Sequence, residues 1–356
     1  MGNARAFWAL PFLLIATWAW REMDLDSVVS TAKPSAESGF IEWDGGDGND
    51  KYRLAILDDF HGVEFLDRFW RGATATFSVS AFGYDSIAAW QTFHFLVDLG
   101  PLYAIWLLES HRAANAWSPA YFPTIFTLAS QALGAGIAMP FFYILCVVFS
   151  PSASELARAP PSRRTVWSRG SLLLILLVFV LHTAEVFAMF LAPSYEARHY
   201  WTWAWQMVPL WIGVGNVVAD QVLKLLLGRA RISSTWTTTV PKAMLAVMAL
   251  VSTVVWVYTI LFSPHPLAVL FTPAPDPQDG LILRSRKAFQ ADEIALFGCS
   301  FLWLVYSFVD LHLAGFVGLK GLLYNLASLP VATAVLGPGS TFALSWYARE
   351  RMLGSS

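Results

Sequence analysis

The chain of 356 residues is 56% hydrophobic and only 13% charged, with a mean hydropathy of +0.52, whereas a soluble domain averages about 25% charged residues. With its apolar excess gathered in long runs, it reads as a membrane protein and not as a soluble enzyme with a large core. A formal net charge of −2 gives no footprint for nucleic acid, and Cys146 and Cys299 both lie in apolar runs, which argues against a disulfide framework or a cysteine metal site.

The first apolar run, Phe7 to Trp20, is short for a span and follows Arg5. Trp18-Ala19-Trp20-Arg21 is too bulky for a cleavage site, so the run reads as an uncleaved short helix or shallow anchor. From Arg21 to about Tyr84 the chain is polar, and Gly45-Gly46-Asp47-Gly48-Asn49-Asp50 reads as a loop. Apolar spacing from Tyr52 to Trp70 predicts an amphipathic helix on the bilayer surface, with Asp58, Asp59 and Asp67 on its solvated face.

Seven stronger spans follow: Ile87–Leu108, Tyr121–Phe149, Leu172–Ala192, Trp201–Leu227, Ala243–Phe262, Ile294–Ala314 and Leu322–Trp346. The second and last are long enough to tilt or kink, at Pro140 and Pro330. The predicted fold is an all-α polytopic transmembrane helix bundle of seven strong spans plus a short N-terminal hydrophobic helix. Residues 1–84 form an N-terminal segment and 85–350 one membrane domain. Basic residues place the Arg158–Arg169 and Arg229–Lys242 loops in the cytosol, while Arg5 and Arg284, Arg286 and Lys287 dissent.

Each carboxylate at membrane depth costs about 2.5–3.5 kcal/mol even on the lenient insertion scale. At about 100° per residue, Gln91, His94, Asp98 and Glu109 fall within an arc of about 60° on their helix. Gln206, Gly213, Asn216, Asp220 and Lys224 share another face, His182 and Glu185 sit three apart, and Asp310 shares a face with Trp303, Tyr306 and Ser307. Four such stripes are best satisfied by converging on one interior cavity. The plainer alternative is interhelical glue at about 0.6 kcal/mol per hydrogen bond, with Glu109 pairing with Arg112 at the headgroups and Asp220 with Lys224. A desolvated carboxyl has its pKa raised and can act as a Brønsted acid, and aromatic rings can stabilise a developing cation. Those parts suit protonation of an isoprenoid alkene or epoxide, or a proton-coupled transporter. Asn216-Val-Val-Ala-Asp220 is a faint match to an aspartate-rich metal–diphosphate motif, but Lys224 stands at the next acidic position. Neither a metal nor a cofactor is expected.

The run Phe95-Leu-Val-Asp98-Leu-Gly-Pro-Leu-Tyr-Ala-Ile-Trp-Leu-Leu-Glu109-Ser-His-Arg112-Ala-Ala-Asn115 resembles the fungal membrane-bound terpene cyclases of meroterpenoid pathways, of the ascochlorin, ascofuranone and macrophorin kind. So does Gln131-Ala-Leu-Gly134-Ala-Gly136-Ile-Ala-Met-Pro140-Phe-Phe-Tyr143. The resemblance covers Tyr84–Pro151 most clearly. It implies cyclisation of a linear farnesyl-type chain on an aromatic or polyketide head, started by protonation without metal, in an internal membrane such as the endoplasmic reticulum. The expected partners are a lipophilic isoprenoid substrate and membrane lipid. On this reading Asp98 and Glu109 rank first as proton donors, followed by Asp220, Glu185 and Asp310. His94 tunes the donor or returns its proton, and Trp90, Trp303, Tyr306 and Asn216 line the substrate. The competing reading is a proton-coupled transporter or a non-catalytic membrane scaffold.

Overall fold

The computed structural model of the chain describes residues 2–44, 50–167, 170–227 and 238–354, and about 80% of it is helical. It begins with α1 (Gly2–Trp8) and α2 (Leu10–Met23). Phe12, Ala16, Ala19 and Met23 recur every three or four residues along α2 and are buried, so this run packs into the bundle through one face.

The polar stretch departs from expectation. Helix α3 (Leu25–Ser38) is followed by β1 (Phe40–Asp44) and β2 (Lys51–Ala55), paired antiparallel from Phe40↔Ala55 to Asp44↔Lys51, and then by α4 (Glu64–Ala81). The predicted surface helix from Tyr52 to Trp70 is therefore corrected: its apolar spacing merged a strand, a turn and the first turns of α4. A tertiary contact commits Tyr52 to the strand. The Trp43 ring stacks on Tyr52 (centroids 5.4 Å apart) and on Tyr84 (5.5 Å), and meets Tyr195 edge-on at 5.1 Å. Helix α4 turns Trp70, Thr74, Ala75 and Ser78 into the bundle. Asp67, predicted to be solvated, is buried and accepts the amides of His61 (2.8 Å) and Phe60 (3.3 Å), closing the turn before α4.

Helix α5 (Ser86–Ser110) is started by Asp85, whose carboxylate accepts the Ala88 amide at 2.7 Å. It is buried almost continuously from Gln91 to Ser110, as the central helix against which the others pack. Next come α6 (Pro123–Leu133), α7 (Ala135–Phe149) and the short α8 (Ala153–Arg158) and α9 (Pro161–Arg164). Helix α10 (Ser171–Val178) continues through a π-helical turn, Phe179–Ala184, into α11 (Glu185–Leu191). The chain ends with α12 (Tyr195–Gln206), α13 (Val208–Leu227), α14 (Val240–Phe262), α15 (Leu267–Phe271), α16 (Gly280–Leu313), α17 (Leu319–Leu336) and α18 (Pro338–Gly354).

Among the described residues, four segments are long and apolar enough to cross a membrane: Ser171–Leu191, α14, α16 and α17. The seven predicted spans reduce to these four by that measure. Three of the predicted runs are each broken in two. Tyr121–Phe149 breaks at Gly134 (φ +81°) and Leu322–Trp346 at Gly337 (φ +85°), while Pro140 and Pro330 sit inside intact helices. Trp201–Leu227 breaks at Met207. A positive φ redirects the chain, which only glycine does cheaply, whereas a proline inside a packed helix is tolerated when neighbours satisfy the freed carbonyl. At Gly337 a Cβ would also sit 2.9 Å from the Trp256 side chain.

Candidate functional site

Two cavities lie one beyond the other along α5. The first, of about 320 Å³, is walled by Trp70, Phe77, Phe95, Tyr103 and Trp205, and Asp292 supplies its carboxyl. The second, of about 500 Å³, is lined by Trp8, Tyr143, Trp303 and Tyr306 together with Glu109 and Asp310. Trp106 lines both. The polar stripes do not converge on one cavity: His182 borders the first and Glu109 and Asp310 the second, while His94, Asp98, Glu185 and Asn216 line neither.

Asp292 projects from α16 to the first turn of α7, where its Oδ1 accepts the Gly136 amide. The approach of α16 to α7 depends on small residues. A Cβ on Gly136 would lie 2.8 Å from both the Ala295 side chain and the Asp292 carbonyl. No cationic side chain pairs with Asp292 among the described residues. His182 also borders this cavity, but both its nitrogens are committed. Nδ1 accepts the Trp205 indole at 3.1 Å, so Nε2 carries the proton and donates to the Leu96 carbonyl at 2.9 Å. The Gln131 amide oxygen, by contrast, is buried at the cavity wall with no hydrogen-bond partner among the described residues, while the Tyr103 hydroxyl lies beside Thr127. Buried polar atoms are usually satisfied, so the Gln131 oxygen is the polar atom at this wall still open to a partner. The sequence reading passed over Asp292 because its span began at Ile294. The available signal was an Asp-Glu pair immediately before an apolar run.

The predicted residues fall into three groups. The α5 stripe faces the interior as predicted. His94 Nδ1 lies 3.0 Å from Glu293 and its Nε2 3.4 Å from Asp98, while Gln91 donates to Glu293 at 2.8 Å. Ser252 and the Gly339 amide donate to Asp98 at 2.5 and 2.8 Å. Asp98 and His94 line neither of the two cavities.

The second group, Glu109, Asp310, Trp303 and Tyr306, gathers at the second cavity. The predicted Glu109–Arg112 pair is present and buried within the protein at the end of α5, with Arg112 0% exposed. Arg112 bridges Glu109 (2.8 Å) and Glu350 (2.6 Å), and Arg349 bridges the same two carboxylates at 2.9 and 2.7 Å. Trp346 adds an indole N–H to Glu109 at 2.8 Å. Asp310 accepts the Ala153 amide at 2.5 Å at the start of α8.

The third group stands apart from both cavities. Trp90 stacks on Tyr258 at 5.3 Å, Asn216 lies 3.1 Å from His111, and the half-buried Glu185 follows the π-helical turn. The side chains of Asp220 and Lys224 lie outside the described residues.

The CtvD domain family profile matches residues 48–354, and the chain belongs to that family. It is 26% identical to the FAD-dependent monooxygenase verC1 of Penicillium polonicum, over 98% of this chain and 42% of that protein. It is also 26% identical to the FAD-dependent monooxygenase anuJ of Penicillium roqueforti, over 99% of this chain and 41% of the other. The chain therefore spans about two fifths of the length of these relatives. No solved structure matches it. A dinucleotide-binding fold sets parallel strands before a glycine-rich turn that opens a helix onto the pyrophosphate. Among the described residues the sheet is one antiparallel hairpin, and Gly62 alone precedes α4. That strand–turn–helix arrangement is therefore missing among the described residues.

Proposed function

We propose that this CtvD-domain chain is a membrane terpene cyclase that closes rings in a linear farnesyl-type chain carried on an aromatic or polyketide head. The observation that carries the reading is the first cavity. Its aromatic walls enclose about 320 Å³ and a carboxyl with no cation beside it, within the roughly 300–1,000 Å³ of ligand pockets. Asp292 is the donor of choice because no cationic side chain pairs with it among the described residues, its partner being the Gly136 amide. Glu109 is engaged by two guanidinium groups and Asp98 reaches neither cavity.

The proton passes from Asp292 to a terminal epoxide oxygen or alkene carbon, leaving a cation at the more substituted carbon. An internal double bond attacks that cation to close the ring, and loss of a neighbouring C–H proton restores neutrality and the acid, so the product is an isomer of the substrate. The faces of Trp70, Phe77 and Trp205 are suited to stabilise the moving cation. The relatives' printed activity, monooxygenase, favours the epoxide, because inserting one oxygen atom into an alkene makes the group that acid opens. We place the chain in an internal membrane, the endoplasmic reticulum.

A second reading puts the chemistry in the second cavity with Asp310 as donor, since four of the residues selected from sequence line it. Microsomes containing the chain, given a linear farnesylated phenol and its terminal epoxide without added Mg²⁺, should yield cyclised product. Asp292→Asn should lower the rate by at least about 100-fold, the low end for a general acid, with Asp310→Asn near wild type. The reverse pattern moves the chemistry to the second cavity. Absence of any cyclised product from the wild type refutes the cyclase.

A further inference from the structure

We propose that Trp106 sets the length of isoprenoid chain the first cavity accepts, as the wall between it and the second. This rests on the reading above that the first cavity receives the chain. The indole borders both spaces and is itself only 3% exposed. Its position is fixed by a relay across three helices. Trp106 Nε1 donates to the Tyr143 hydroxyl at 2.8 Å, Tyr143 donates to Ser300 Oγ at 3.1 Å, and Ser300 donates to the Leu296 carbonyl at 2.7 Å. Tyr143 is in turn boxed by the rings of Phe12, Phe142 and Trp303, with centroids 5.5 to 6.0 Å away. The indole cannot swing aside without breaking that relay, so it acts as a stop.

From Gly136, which holds Asp292, to Tyr143, which holds Trp106, helix α7 advances seven residues, or roughly 10 Å at 1.5 Å per residue. The acid and the stop are thus anchored about two turns apart along α7. Beyond the stop the near wall is apolar, made by Ile105, Phe142, Val147 and Trp303. The charged residues that also line this cavity are each engaged, Glu109 with Arg349, Asp310 with the Ala153 amide, Glu155 with the Ser152 amide and Arg5 with the Ser150 carbonyl. Removing the indole would join about 320 Å³ to about 500 Å³ through an apolar passage. A longer chain would then gain buried surface at little polar cost.

The test is equilibrium binding to the purified full chain in lipid nanodiscs. The probes are radiolabelled hydroquinones with saturated geranyl, farnesyl and geranylgeranyl skeletons, which cannot be protonated and turned over. Wild type should prefer farnesyl to geranylgeranyl by at least about tenfold, a fraction of what five buried carbons can supply. Trp106→Ala should abolish or invert that preference, with Trp106→Phe shifted the same way by less. Tyr143→Phe, which removes the hydroxyl that fixes the indole, should weaken the preference in the same direction by less than Trp106→Ala. If Trp106→Ala binds farnesyl normally but keeps the wild-type order, this proposal fails and the cyclase reading stands. If wild type binds none of the three, both fall. Should Trp106→Ala not fold, an unchanged order in Trp106→Phe and Trp106→Leu is the refuting result.

Discussion

Replacing Glu109 by Gln distinguishes a structural charge network from a catalytic acid. Glu109, Arg112, Arg349 and Glu350 are each less than a tenth exposed and are joined by four ion pairs of 2.6 to 2.9 Å. Two positive and two negative groups cancel, so the network is tolerable in the interior only while it is complete. A glutamine would turn an amide N–H₂ towards a guanidinium and leave one buried positive charge uncompensated. Breaking a buried pair in this way costs about 3–5 kcal/mol. At about 2 °C per kcal/mol for a large chain, Tm should fall by about 6–10 °C. The assay can use a thiol-reactive fluorophore, because Cys146 and Cys299 are buried in α7 and α16 and react only on unfolding. Adding Arg349→Met to Glu109→Gln rebalances the charges, so the double variant should be less destabilised than the sum of the two singles, with coupling of about 0.5–3 kcal/mol. A fall below about 2 °C for Glu109→Gln, the size of a surface pair, would refute the network. Loss of cyclisation at unchanged Tm would make Glu109 a catalytic group.

Two further outcomes follow from backbone and aromatic packing. Gly134→Ala forces φ +81° on a Cβ that would meet Met23 and lie 3.1 Å from Asp292. It should cost about 1–3 kcal/mol and weaken farnesyl binding, read by the same nanodisc assay. Trp43→Ala removes the ring stacked on Tyr52 and Tyr84, a loss of about 3–5 kcal/mol in a packed site. It should speed tryptic cleavage after Lys51 and Arg53 well before it lowers Tm.

The inward stripe on α5 was legible because it depends on one helix alone. Positions 91, 94, 98 and 109 share a face at 100° per residue wherever that helix is placed, and they are buried along with nearly all of the helix from Gln91 to Ser110. Trp303, Tyr306 and Asp310 were legible for the same reason and share a cavity. The hairpin was not. Period-two alternation over five residues is indistinguishable from fragments of a helical period until Tyr52, Tyr84 and Tyr195 gather around Trp43. The breaks at Gly134 and Gly337 were obscured by the prolines nearby. Proline announces a kink by its chemistry, whereas a glycine's left-handed conformation is selected by what packs around it.

Composition and local period therefore determined that this chain is helical, with runs long and apolar enough to cross a membrane and several acids among the buried residues, because both follow from free energies of single segments. Partnership is decided elsewhere. Glu350 stands 238 positions from Arg112 and Asp292 156 from Gly136, separations at which no local pattern acts. Which carboxylate is neutralised by arginine, and which is left alone facing an aromatic cavity, was settled only when the helices packed. Packing alone sets the distances over which charges and hydrogen bonds act.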